Sequence, residues 1–207
     1  MSTPSISGLI LAGGQGSRMG GTDKALQMLH GKSLLAHVAE RLSPQVNELL
    51  ISAARTDAYP EFTTAFKSRI ITDELAGAGP LAGVHAGLKA ARHEWLVTAP
   101  CDAPFLPADL VSRLAAMLHT EAADLAVTRT RDGRHPVFSL MRRGVLPTLS
   151  QYLASGGRKA DGWYEGLKVV EVAFDDANAF ANINTREELA RWNAAPGTQS
   201  ASASSRQ

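Results

Sequence analysis

The sequence predicts a three-layer α/β/α fold built on a mostly parallel sheet. Three observations carry this. Short apolar runs alternate with amphipathic stretches, as in successive strand–helix–strand units. The early runs are continuous rather than alternating, which fits strands covered on both faces. A glycine-rich loop follows the first run directly, and sheets of this class bind ligands beyond the carboxyl ends of their strands.

Strands are expected over residues 7–11, 48–52, 69–72, 94–99, 125–129, 137–141 and 169–173, and helices over 33–42, 81–91, 108–118, 145–154 and 185–193. The first strand ends where the glycine loop begins, and the second closes on Ser52. Gly79-Pro80-Leu81-Ala82-Gly83 opens the helix over 81–91. Pro107 precedes the next helix, where its missing N–H leaves nothing unpaired. The last helix begins with a capping box, with Thr185 as N-cap and Glu188 three residues on. After about residue 130 the pattern is choppier and richer in Gly and Arg, which suits a second binding surface on the same sheet.

The 207 residues are read as one domain over 1–195, followed by a small, polar, flexible tail over 196–207. Hydrophobic residues make up 44% and charged residues 20%, enough for a sizeable core. A formal net charge of +1 gives no reason to expect nucleic acid or a membrane surface as partner. Cys101 is the single cysteine, so no intramolecular disulfide forms, and a cytoplasmic location is expected. No apolar run approaches a bilayer span, and the first residues lack the charge and apolar stretch of a signal peptide.

The loop from residue 11 to 26 holds five glycines, Arg18 and Lys24. Glycines let backbone N–H groups approach an anion with no Cβ in the way. Arg18 can grip two phosphate oxygens, and Lys24 can act as a point cation. The loop therefore reads as a di- or triphosphate cradle. It is not a Walker A loop: the pattern around Gly31-Lys32-Ser33 requires a glycine where Leu26 stands. Nor is it a dinucleotide fingerprint, since Gly14-Gln15-Gly16-Ser17-Arg18 is followed by Met19.

The pattern Leu11-Ala12-Gly13-Gly14…Arg18-Met19-Gly20-Gly21…Asp23-Lys24 resembles the signature of the nucleoside-triphosphate transferases, and within them the molybdenum cofactor guanylyltransferases. The likeness continues through residues 31–34, 79–83, Pro100-Cys101-Asp102-Ala103-Pro104, Arg134-His135-Pro136 and the run from Asn182 to Leu189. It implies a Rossmann-like nucleotidyltransferase fold, with the N-terminal half holding nucleotide and the C-terminal half holding acceptor. It implies that Leu11, Ala12 and Gly13 line the guanine end and that Gly14 and Gly16 bend toward the phosphates. Arg18 and Lys24 would contact those phosphates, Asp73 would lie near the nucleotide, and Asp102 would bind Mg²⁺. The residues agree on Asp102, a carboxylate following an apolar strand at the same edge as the loop. Ser52 stands where the family often has Asn, offering a hydroxyl in place of an amide.

The implied reaction moves GMP from GTP to the terminal phosphate of molybdenum-molybdopterin, releasing pyrophosphate. Gly79, Pro80, Leu81, Arg134, His135, Asn182 and Asn184 are the acceptor candidates. Arg158 and Lys159 read equally as acceptor contacts or as a solvated loop. A monomer is expected, with cofactor-insertion proteins or molybdoenzyme chaperones as implied partners. The rival readings are a cytidylyltransferase, a sugar-phosphate nucleotidyltransferase and a binding module without turnover. Gly13, and the doubled Gly20-Gly21, favour guanine over the cytidylyl relatives, and the set Arg18, Lys24 and Asp102 favours an enzyme over a sensor. Cys101 reads as a buried filler, the three tryptophans as packing, and Asp23 as an orienting residue for Lys24 or a helix cap. The six histidines show no zinc spacing, and His135 alone merits a test.

Overall fold

The computed structural model describes residues 5–13, 18, 19, 22–72, 75 and 79–195. In chain order the elements are β1 (Ile6–Leu11), β2 (Arg18–Met19), β3 (Thr22–Asp23), β4 (Met28–Leu29), β5 (Lys32–Ser33) and α1 (Leu34–Leu42). Then come β6 (Glu48–Ser52), α2 (Pro60–Ala65), β7 (Arg69–Ile71), α3 (Pro80–Ala90), β8 (Trp95–Pro100) and α4 (Leu110–Glu121). The C-terminal part holds β9 (Leu125–Thr130), β10 (Gly133–Arg142), α5 (Leu146–Ala154), α6 (Ala160–Tyr164), β11 (Val169–Ala173) and α7 (Arg186–Ala194).

Seven strands form one sheet in the order β11-β9-β10-β8-β1-β6-β7. Every neighbouring pair is parallel except those made by β10, which runs antiparallel to β8 and β9. From β1 the chain builds outward through β6 and β7, then crosses to place β8 on the other side of β1. That reversal leaves a crevice at the carboxyl ends of β1 and β8, where such sheets bind ligands. The registers set Leu11 opposite both Ser52 and Pro100, so three strands finish level at this edge.

β1 is buried along its whole length because helices cover both faces. Ile10, Ile51 and Val97 pack with side chains of α1 and α4, while Leu9, Leu50 and Leu96 pack with those of α3 and α5. Helix α3 lies very close to β1. A Cβ on Gly83 would stand 2.6 Å from Leu11 Cδ2, and one on Gly87 would stand 2.5 Å from Leu9 Cδ2. The two glycines are four residues apart and share a face. Larger residues would force these leucine side chains or the helix itself to shift.

All seven expected strands and five expected helices are present, with ends shifted by a residue or two except at β10 and at the end of α4, which runs three residues further. β10 starts at Gly133, four residues before the strand expected over 137–141. Its first residues pair only with β9, and Pro136 falls where the register slips between His135 and Ser139, so no ladder bond is lost for want of its N–H. The two-stranded pairs β2–β3 and β4–β5 and the short helices α2 and α6 were not anticipated, being too short to show a period. No helix among the described residues is long and apolar enough to cross a membrane.

At the opposite edge of the sheet, Glu48 gathers several donors. Its carboxylate accepts from Ser7 Oγ (2.6 Å), Arg69 Nη2 (2.6 Å) and the backbone N–H of Arg92 (2.9 Å), with its side chain only 8% exposed. Burial pushes the carboxyl pKa up, but these bonds outweigh it and hold it below the usual glutamate range. A lowered folded value means that Glu48 stabilises the fold above the unfolded pKa, about 4.3, and that this contribution fades as pH falls through and below it. Glu48→Gln is therefore expected to be less stable than the native chain at pH 7 by about 1–3 kcal/mol. The gap should narrow between about pH 5 and 3. Urea midpoints measured across that range check both statements.

Candidate active site

The strand ends at the crevice are stitched together. The N–H of Ala12 donates to Ser52 O (2.9 Å), that of Cys101 to Leu11 O (3.1 Å) and that of Ala53 to Ile71 O (2.9 Å). Leu11 and Ala12 are buried, and Gly13 is half-buried. A Cβ on Gly13 would make ordinary contact with Ala53, the nearest atom lying at 3.5 Å. Packing alone does not require glycine at that position.

Lys24 begins a single 3₁₀ turn, Lys24–Leu26, whose N-cap is Asp23: Asp23 Oδ1 accepts from the N–H of Ala25 (3.0 Å). The hydroxyl of Tyr59 donates to Asp23 Oδ2 at 2.6 Å. Tyr59 adopts a left-handed conformation, φ 55°, which is costly for a side chain of this size. Burial and then the Asp23 carboxylate push its pKa well above the usual range, so it remains a donor at any physiological pH. Asp23 thus serves as the cap expected for it, and Tyr59, which no local signal singles out, holds it in place.

This frame points Lys24 inward. Its ammonium pairs with Asp102 Oδ2 and donates to Asn184 Oδ1 at 2.7 Å. The two charged side chains are 8% and 12% exposed. The other oxygen, Asp102 Oδ1, is buried with no hydrogen-bond partner among the described residues. A buried carboxylate oxygen left unbonded is costly unless a ligand takes it up. The N–H of Ile183 donates to Asp102 O (2.9 Å), tying the chain around Asn184 to the turn after β8. Cys101 beside it is buried, and burial followed by the Asp102 charge pushes its thiol up to about 12, leaving it an inert filler.

Other expected residues fall in different places. Gly14, Gly16, Asp73 and the Arg18 side chain lie outside the described residues; the Arg18 backbone belongs to β2. Ser52 is fully buried, and its hydroxyl is unpartnered among the described residues. A Cβ on Gly83 would come within 3.0 Å of that hydroxyl. Gly79 is the N-cap of α3 with φ 59°, a conformation suited to glycine. Pro80 and Leu81 follow it and line a cavity of about 60 Å³ together with Ser139, Arg158, Trp163 and Tyr164. Trp163 and Tyr164 had no distinguishing signal in the sequence beyond being aromatic. Arg134 and His135 do not line this cavity. The Arg134 guanidinium is held by Glu171 (2.5 Å) and Asp161 (3.0 Å). The His135 ring stacks on Phe180, centroids 5.2 Å apart, and bonds Thr130 Oγ1 at 2.8 Å. Asn182 and Asn184 are both exposed residues, and Asn184 turns its Oδ1 to the Lys24 ammonium. No group of three or more His, Cys, Asp or Glu among the described residues is placed to hold a metal.

The arrangement is a cation and a carboxylate, both nearly buried, at the crevice edge of an α/β sheet. It can neutralise phosphate charge and offer one oxygen to a hard cation, and among the described residues it holds no nucleophile–histidine pair.

The MobA-like NTP transferase domain model matches residues 8–169. The chain is 54% identical over 190 residues to a molybdenum cofactor guanylyltransferase of Cupriavidus necator, covering 89% of this chain and 94% of that one. It is 50% identical over 195 residues to a molybdenum cofactor guanylyltransferase of Burkholderia ambifaria, covering 91% and 95%. Among solved structures, molybdopterin-guanine dinucleotide biosynthesis protein A from Archaeoglobus fulgidus superposes with a TM-score of 0.75 at 26% identity, covering 90% of this chain and 96% of that one.

Proposed function

The chain belongs to the MobA-like NTP transferase family, and on that footing we propose that it transfers GMP from GTP to the terminal phosphate of molybdenum-bound molybdopterin. The observation that carries the reading is the buried Lys24–Asp102 pair at the crevice, with Asp102 Oδ1 left unbonded among the described residues. A phosphate oxygen of the acceptor attacks the α-phosphorus of GTP. The new P–O bond forms as the bond to the β-phosphate oxygen breaks, and pyrophosphate departs with the electron pair. A phosphate monoester is largely doubly ionised at neutral pH, so no strong general base is needed. Catalysis then rests on positioning and on charge.

In this reading Lys24, with Arg18 from the glycine loop, offsets charge on the departing pyrophosphate. Asp102, with its Oδ1 unbonded among the described residues, would hold Mg²⁺. One carboxylate fits that ion, which keeps several waters and takes its remaining ligands from phosphates. When bound, it supplies charge stabilisation between the reacting phosphates. Leu11, Ala12 and Gly13 hold the base against the end of β6, with Asp73 nearby. Among the described residues nothing crowds a Cβ at Gly13, which supports a ligand lying against it. Gly79, Pro80 and Leu81 open α3 toward the acceptor, whose apolar side would rest near the cavity containing Trp163 and whose anionic end would meet Arg158. Arg134 and His135 are committed to contacts within the fold and act from behind this surface. The enzyme is read as a cytoplasmic monomer.

Thermal unfolding with GTP, CTP, ATP or UTP, each with Mg²⁺, tests the nucleotide half. A ligand at about a hundredfold excess over Kd adds about 2.7 kcal/mol, roughly 5–10 °C for a chain of this size. That shift is expected with GTP alone. A CTP shift of equal size would move the enzyme to cytidylyl transfer while keeping the Asp102 site.

A further inference from the structure

We propose that Asn184 is a positioning residue for Lys24 rather than a contact for the acceptor. The proposal rests on the guanylyl-transfer reading above. A lysine ammonium has three N–H donors and a flexible stem, so it is useful only where something fixes its direction. Here one donor goes to Asp102 Oδ2 and a second to Asn184 Oδ1 at 2.7 Å. Two directions so fixed leave the third donor for a phosphate oxygen.

Asn184 is in turn held from several sides. Its backbone N–H donates to Glu188 Oε2 at 2.6 Å, and the same oxygen accepts from the N–H of Thr185 at 3.1 Å. The Thr185 hydroxyl closes the box on the N–H of Glu188 at 3.1 Å. The preceding residue, Ile183, is fully buried beside Leu29, Leu34 and Leu189, and its N–H bonds the carbonyl of Asp102. The cap of α7 therefore does more than start a helix: it fixes the backbone of the residue whose amide meets the lysine, while Ile183 ties the same segment to the turn that carries Asp102.

The amide also suits the task chemically. A neutral oxygen orients the ammonium without cancelling its charge. A second carboxylate there would compete with the pyrophosphate that Lys24 is there to meet.

The test is steady-state kinetics of Asn184→Ala with GTP, Mg²⁺ and molybdenum-bearing molybdopterin, beside the native enzyme. A positioning role predicts kcat lowered about 10- to 100-fold, with KM for molybdopterin within about threefold and an unchanged unfolding profile. KM raised tenfold or more with kcat retained would assign Asn184 to the acceptor and overturn the proposal. So would a variant indistinguishable from native. Should Asn184→Ala fail to fold, Glu188→Ala leaves the amide in place but unfastens its backbone; it should give the same split in milder form, and a pure KM effect there counts against the proposal. A native enzyme that makes no guanylylated product would sink the functional reading itself, a result separate from any change confined to the variants.

Discussion

Asp102→Asn is expected to lower turnover about 10³-fold or more while leaving a folded protein. The amide keeps the shape of the side chain and an acceptor for Lys24, but it removes the charge. On the proposed reading two effects are lost together: the oxygen that would hold a hard cation, and the counter-charge paired with Lys24. A single electrostatic contact to a transition state is commonly worth about 10²–10³ in rate, and a metal ligand adds to that. Stability should fall by about 1–3 kcal/mol, because Lys24 remains buried without its anion. Pyrophosphate release, read beside thermal unfolding, separates the two. A folded variant within tenfold of the native rate would remove Asp102 from the chemistry.

The second large effect concerns its partner. Lys24→Met keeps length and apolar bulk but strands the Asp102 carboxylate, itself only 12% exposed. Breaking one side of a buried pair costs about 3–5 kcal/mol. The remaining water access argues for the lower end. Turnover should fall about 10²–10³-fold through lost stabilisation of the leaving pyrophosphate. The double variant Asp102→Asn, Lys24→Met should be more stable than the sum of the single losses predicts, because no unpaired charge is left behind. Urea unfolding of all four proteins measures that coupling. Strict additivity would mean that the pair seen in the structure contributes little in solution.

The parts of this site that local chemistry writes were legible in the sequence. A continuous apolar strand that stops at a run of glycines marks where β1 ends at the crevice. A carboxylate just past a second such strand lands at the same edge, because parallel strands beside one another end level. The capping box at Thr185 is written in four residues and folds as expected. What could not be read were partnerships across the chain. Asn184 lies 160 residues from Lys24, and nothing local distinguishes an amide that orients a lysine from one that meets a ligand. Tyr59 reaches Asp23 only because a left-handed backbone turns it there. Arg134 looked free as a basic residue beside histidine and proline; its carboxylates come from α6 and β11, 27 and 37 residues further on. The start of β10 stayed hidden because Pro136 is tolerated only at an irregularity that the pairing with β9 creates.

The most direct measurement is the mass of the product formed when the protein is incubated with molybdenum-bearing molybdopterin, Mg²⁺ and an equal mixture of GTP and CTP. The account predicts a single dinucleotide, heavier than the acceptor by one GMP residue, with one pyrophosphate released for each. A product carrying CMP, or nucleotide bound without any pyrophosphate released, would contradict it.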